Sequence, residues 1–126
     1  MSVKTKYQAV LNLGEKLGVR DGEVSEENGI LIIRGKTRTP YEKDLLWDKI
    51  KEIGGQKPTD IKADITVEDD AIYHRHVVKS GDSLSKIARH YYGDAMKYKL
   101  IFSANKNILN NPDVIYADQV LVIPKL

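Results

Sequence analysis

The pair Asn28-Gly29 constrains this chain more than any other two residues. Both types accept the positive φ angles of a type I′ turn. The pair stands between Glu23-Val24-Ser25-Glu26-Glu27 and the apolar run Ile30-Leu31-Ile32-Ile33. That arrangement predicts an antiparallel hairpin over residues 23–34. Upstream, Tyr7, Val10, Leu11, Leu13 and Leu17 recur near helical spacing, so residues 5–17 read as one amphipathic helix with Gly14 and Gly18 as two places for it to end. Downstream, Thr39-Pro40-Tyr41-Glu42 sets an N-cap hydroxyl, a proline at the first helical position and a capping-box carboxylate ahead of Leu46, Trp47, Ile50 and Ile53. Gly54-Gly55 stops that helix. Ile61, Ala63, Ile65 and Val67 then alternate with polar residues, the period of a strand with one buried face. Residues 1–67 thus read α-β-β-α-β.

Glu68-Asp69-Asp70 places three carboxylates in a row, best left in water, and marks residues 68–72 as a short acidic linker. From residue 73 a second pattern begins. Residues 73–79 read as a strand, 83–92 and 95–106 as helices and 120–124 as a returning strand, giving β-α-α-β over residues 73–126. The fold class is α+β in two small modules, each near the lower size limit for a core of its own.

Composition narrows the chemistry. The chain has no cysteine, which removes disulfides, thiolate catalysis and cysteine-bound zinc. Twenty Lys and Arg against eighteen Asp and Glu leave a net charge of +2, too small to steer the whole chain toward nucleic acid. No apolar run approaches the roughly 18 residues of a membrane span, and the N-terminal segment lacks the pattern of a secretory leader. The expectation is a monomeric cytoplasmic protein with no catalytic role.

The second module carries a family signature. His76-Val77-Val78-Lys79-Ser80-Gly81-Asp82-Ser83-Leu84-Ser85-Lys86-Ile87-Ala88, then Tyr92-Gly93, Ile101-Phe102-Ser103-Ala104-Asn105 and Gln119-Val120-Leu121-Val122-Ile123-Pro124 resemble the LysM family. Gly81 suits the tight turn, Asp82 is placed to cap the following helix, and Leu84, Ile87 and Ala88 give that helix a buried stripe. Leu100, Ile101 and Ala104 are expected to do the same for the next helix. Ala117-Asp118 stands where LysM modules commonly carry Pro-Gly, and Asp tolerates positive φ better than most residues. The first module resembles the BON family in element order and in Gly35. A BON module followed by a LysM module resembles the small potassium-binding proteins of bacteria, a likeness strengthened by Asn111-Pro112-Asp113 with Ile115-Tyr116.

These resemblances imply two ligands. The first is a potassium ion, held by backbone carbonyls and closing the two modules together. If the first helix ends at Gly14, the carbonyls of Val10, Leu11, Asn12 and Leu13 are its open donors. The second is an N-acetylglucosamine-containing glycan such as peptidoglycan, in a groove between Gly81, Asp82, Ser83 and Leu84 on one side and Asp113, Val114, Ile115 and Tyr116 on the other. His74 and His76 share one strand face but have no third metal ligand nearby, and are expected to be partly exposed strand residues. Ser83, His90 and Asp82 do not read as a catalytic triad, because Asp82 and Ser83 are neighbours occupied in capping.

Overall fold

A computed structural model describes residues 2–126. The chain divides into two compact units, one through Asp70 and one from Ala71.

In the first unit the N-terminal helix is broken. The Ser2 side chain caps α1 (Val3–Lys6), Tyr7 interrupts at φ −101° and ψ 19°, and α2 runs from Gln8 to Leu17. Tyr7 is wholly buried, and its hydroxyl donates to Asp60 Oδ1 at 2.5 Å while Lys6 Nζ meets Asp60 Oδ2 at 2.6 Å. Burial pushes the Tyr7 phenol up to about 12, with help from the Asp60 carboxylate that it bonds. Of the two glycines, Gly18 ends the helix in the left-handed region at φ 70°, and the Val19 N–H closes on the Gly14 carbonyl at 3.0 Å.

β1 (Arg20–Glu27) and β2 (Ile30–Thr37) form the expected hairpin, with Asn28 at φ 53° and Gly29 at φ 76°. β1 starts three residues earlier than predicted, through an irregularity between Arg20 and Glu23 where Asp21 takes φ 53°. α3 (Pro40–Gly54) carries the chain across to β3 (Ile61–Val67), which pairs parallel with β2, so the sheet order is β1-β2-β3. A crossover helix is what a parallel pair requires. Tyr7, Val10, Leu31, Ile33, Leu46, Ile50, Ile61 and Ile65 make the core.

Thr39 caps α3, and the Glu42 carboxylate accepts the Arg38 N–H at 2.9 Å and pairs with the Arg38 guanidinium at 2.8 Å. One local reading changes: the acidic segment is not all free linker. The N–H groups of Glu68 and Asp69 donate to the Thr37 and Arg38 carbonyls, extending the ladder, and Glu68 pairs with Arg20 at 3.2 Å.

In the second unit β4 (His74–Val77) pairs antiparallel with β5 (Val120–Ile123). Ser83 is the N-cap of α4 (Leu84–Tyr92), which stops at Gly93. The helix predicted for residues 95–106 is a 3₁₀ turn (Ala95–Lys97) followed by α5 (Tyr98–Ala104). Leu84, Ile87 and Ala88 are buried as expected, but of the next helix only Ile101 is, while Leu100 and Ala104 face solvent. The inward stripe runs instead through Tyr98, Ile101, Phe102 and Asn105. Asn105 holds that place because its amide imitates a strand. Its Oδ1 accepts from Val122 N and its Nδ2 donates to Val122 O, both at 2.9 Å, and Nδ2 also meets Ile101 O at 2.7 Å. The outer edge of β5 is thereby sealed, which a hydrophobic residue cannot do.

Candidate functional site

Gly81 takes φ 89°, turning the chain between β4 and α4 so that Asp82 N–H meets the Lys79 carbonyl at 3.0 Å. The Asp82 carboxylate does not cap α4. It folds back to accept the Lys79 N–H at 2.9 Å, and the same oxygen lies 2.9 Å from His76 Nε2. The other ring nitrogen of His76 lies 2.7 Å from the Tyr91 hydroxyl. The His76 hydrogen bond, and after it the Lys79 N–H, hold the Asp82 carboxyl below the usual carboxylate range. Capping falls to Ser83, whose Oγ accepts from Lys86 N at 3.2 Å and lies 3.2 Å from Ser85 Oγ.

The opposing loop is built by short side-chain turns. Asn111 Oδ1 accepts the Asp113 N–H, and Gln119 Oε1 accepts the Tyr116 N–H, each at 2.8 Å. Asp118 adopts φ 72°, the angle expected where Gly is common, and its N–H donates to the Val78 carbonyl at 2.8 Å.

Between these segments lies a groove of about 340 Å³. Five of the eight residues expected there line it: Asp82, Ser83, Leu84, Asp113 and Ile115. Gly81, Val114 and Tyr116 lie outside the lining. Ser85, Pro112 and Tyr98 join it, and Tyr98 was missed because its place depends on α5 folding back toward the turn. The groove combines apolar walls, one tyrosine ring, two serine hydroxyls and two carboxylates. It suits an uncharged polyhydroxyl ligand with one apolar face.

The first unit changes the carbonyl reading. Because α2 continues to Leu17, the carbonyls of Val10, Leu11, Asn12 and Leu13 face the amides of the following turn inside the helix, and the helix end assumed at Gly14 lies at Gly18. Val10 and Leu11 instead help line a largely apolar cavity of about 460 Å³ beside Gly14, Val19, Ile33 and Leu46.

His76 is a partly exposed strand residue, as expected, and its ring is held between Tyr91 and Asp82. Among the described residues no three His, Cys, Asp or Glu are grouped to hold a metal ion. Asp82 bonds His76, and Ser83 bonds Lys86 and lies beside Ser85. No helix among the described residues is long and apolar enough to cross a membrane.

Known proteins resemble this chain in parts. A protein of Deinococcus radiodurans named as uncharacterized is 37% identical over 115 residues, covering 81% of this chain and 44% of its own. A protein of Escherichia coli named as a potassium binding protein is 54% identical over 50 residues, 40% of this chain and 34% of its own. An esterase of Mycobacterium tuberculosis is 45% identical over 51 residues, 40% of this chain but 11% of its own. The chain spans less than half the length of these curated relatives. Residues 76–124 match the LysM domain family, so the second unit carries a LysM domain.

Proposed function

We propose that this protein binds potassium through backbone carbonyl oxygens and catalyses no reaction, its first unit being a BON-type module. The observation that carries this reading is the 54% identity, over 50 residues, with a protein named as a potassium binding protein. Chemistry supports it. Potassium is a large, weakly hydrated cation served best by several neutral oxygens, whereas grouped carboxylates favour calcium. The test is calorimetry with potassium chloride against sodium chloride at matched ionic strength. Saturable heat with potassium and none with sodium is expected, and identical traces for the two salts reject the reading.

A second reading rests on the groove. The turn at Gly81 and the loop before β5 bound a cleft lined by Leu84, Tyr98 and Ile115 with the Ser83 and Ser85 hydroxyls, which supports binding of an N-acetylglucosamine oligomer. Tyr98→Leu keeps the core contact but removes the aromatic face, and is expected to weaken such an oligomer several-fold. Unchanged affinity in that variant excludes the groove.

A further inference from the structure

From Ala71 onward the chain holds eight Lys and Arg but four Asp and no Glu. The imbalance is local. Between Ser83 and Asn110 stand Lys86, Arg89, Lys97, Lys99 and Lys106, and one carboxylate, Asp94. Asp94 is turned inward to its own turn, where it accepts the Met96 N–H at 2.9 Å. None of the five cations makes an ion pair among the described residues. All but Lys97, which is half-buried, are exposed. Two large apolar side chains stand among them. Met96 is 67% and Leu100 43% exposed, although the apolar pattern of α5 had marked Leu100 for the core. The two lie four residues apart on the connected 3₁₀ turn and α5, and that turn packs against α4, which carries Lys86 and Arg89.

Exposed apolar side chains on elements that also carry unpaired cations are the chemistry that settles on an anionic bilayer. The apolar groups enter the headgroup boundary, and Lys and Arg gain from the negative surface potential. We propose that the surface formed by α4, the 3₁₀ turn and α5 of the LysM unit docks on an anionic lipid surface, with Met96 and Leu100 inserted and Arg89, Lys97 and Lys99 against phosphate. A polynucleotide would use the same cations and have no need of Met96 and Leu100. The proposal is independent of the ion and glycan readings.

Co-sedimentation of the full chain with vesicles of phosphatidylcholine, with or without phosphatidylglycerol, tests it in sodium buffer. Binding is expected only with phosphatidylglycerol, and should fade as salt rises. Lys97→Gln with Lys99→Gln should weaken it by roughly 25-fold, about fivefold per charge. Met96→Ser with Leu100→Ser should weaken it several-fold at unchanged charge, with the fold checked by circular dichroism. No preference for phosphatidylglycerol overturns the proposal. So does binding that the serine pair leaves intact, and a polynucleotide bound equally by that pair would then identify the partner as nucleic acid.

Discussion

Replacing Gly54 by alanine should destabilise the first unit, although alanine is the better helix former. Gly54 is the last residue of α3 and its φ is not positive, so backbone strain does not enter. On propensity alone the substitution gains about 0.5–1 kcal/mol. Space decides otherwise. A Cβ there would fall on the Tyr7 hydroxyl, with Pro58 Cβ at 2.9 Å and Tyr7 Cζ at 3.2 Å. Tyr7 cannot give way freely, because its ring is wholly buried and its hydroxyl is bound to Asp60. Overpacking of this kind costs about 1–3 kcal/mol, and a displaced hydroxyl also loses a hydrogen bond to a charged group worth about 1.5–3 kcal/mol. Set against the propensity gain, the two costs leave a net loss of about 1.5–5.5 kcal/mol. Urea unfolding followed by the fluorescence of Trp47, the single tryptophan, reads this unit directly, since Trp47 packs on the same core. In a Tyr7→Phe background the hydroxyl is gone, so the Gly54→Ala penalty should shrink by about 1 kcal/mol or more. A Gly54→Ala protein as stable as the parent, or an equal penalty in both backgrounds, refutes the reasoning.

Asn105→Ala should cost the second unit about 2–4 kcal/mol, because it strands both polar groups of Val122; faster exchange of the Val122 amide with an unchanged Trp47 transition is the signature. Tyr7 and Tyr92 are both raised from 10.0 to about 12, chiefly by burial, so each contributes stability that is complete below pH 10 and lost as pH rises toward 12. Tyr7→Phe should flatten that alkaline loss in the first unit and Tyr92→Phe in the second, as read by unfolding midpoints across the interval. Asp82 has the opposite sign: its lowered carboxyl favours the fold above the ordinary 3.8, and that contribution fades as pH falls through the folded value. Asp82→Asn should therefore remove part of the acid sensitivity of the second unit, and an unchanged acid limb would show the His76 contact to be without weight.

Most elements were legible because their signals are local. Asn28-Gly29 needs only its own two φ angles, and Thr39-Pro40 only the first turn of the helix it starts. The failures share a cause. Tyr7 breaks a periodic helix to reach Asp60, fifty-three residues away, and Asn105 displaces Ala104 and Leu100 from the inward stripe because Val122 needs a partner. Asp82, read as a cap from its position before α4, is drawn backward by His76 and Lys79. In each case a hydrogen-bond partner that the fold supplies overrode the local reading, and at Tyr7 and Asn105, which are buried, an unpaired polar group would cost more than an exposed leucine. The net +2 of the whole chain is also unevenly divided: in the second unit cations outnumber carboxylates two to one.

The two sets of expected residues lie differently in the fold, and helix geometry says why. The groove depends on turns at Gly81 and Asp118, each fixed by a residue able to take positive φ, and five of its eight expected residues line it. The carbonyl set at Val10 to Leu13 depended on which of two glycines ends a helix. Gly14 and Gly18 differ by four residues, just over one turn, so both end the helix on nearly the same face. Yet four residues also mean about 6 Å along the axis, farther than the reach of one ion's coordination shell. A boundary error too small to alter the fold therefore changes every carbonyl that the helix end was expected to leave open, and a set of backbone oxygens is legible only to the accuracy of the helix end that exposes it.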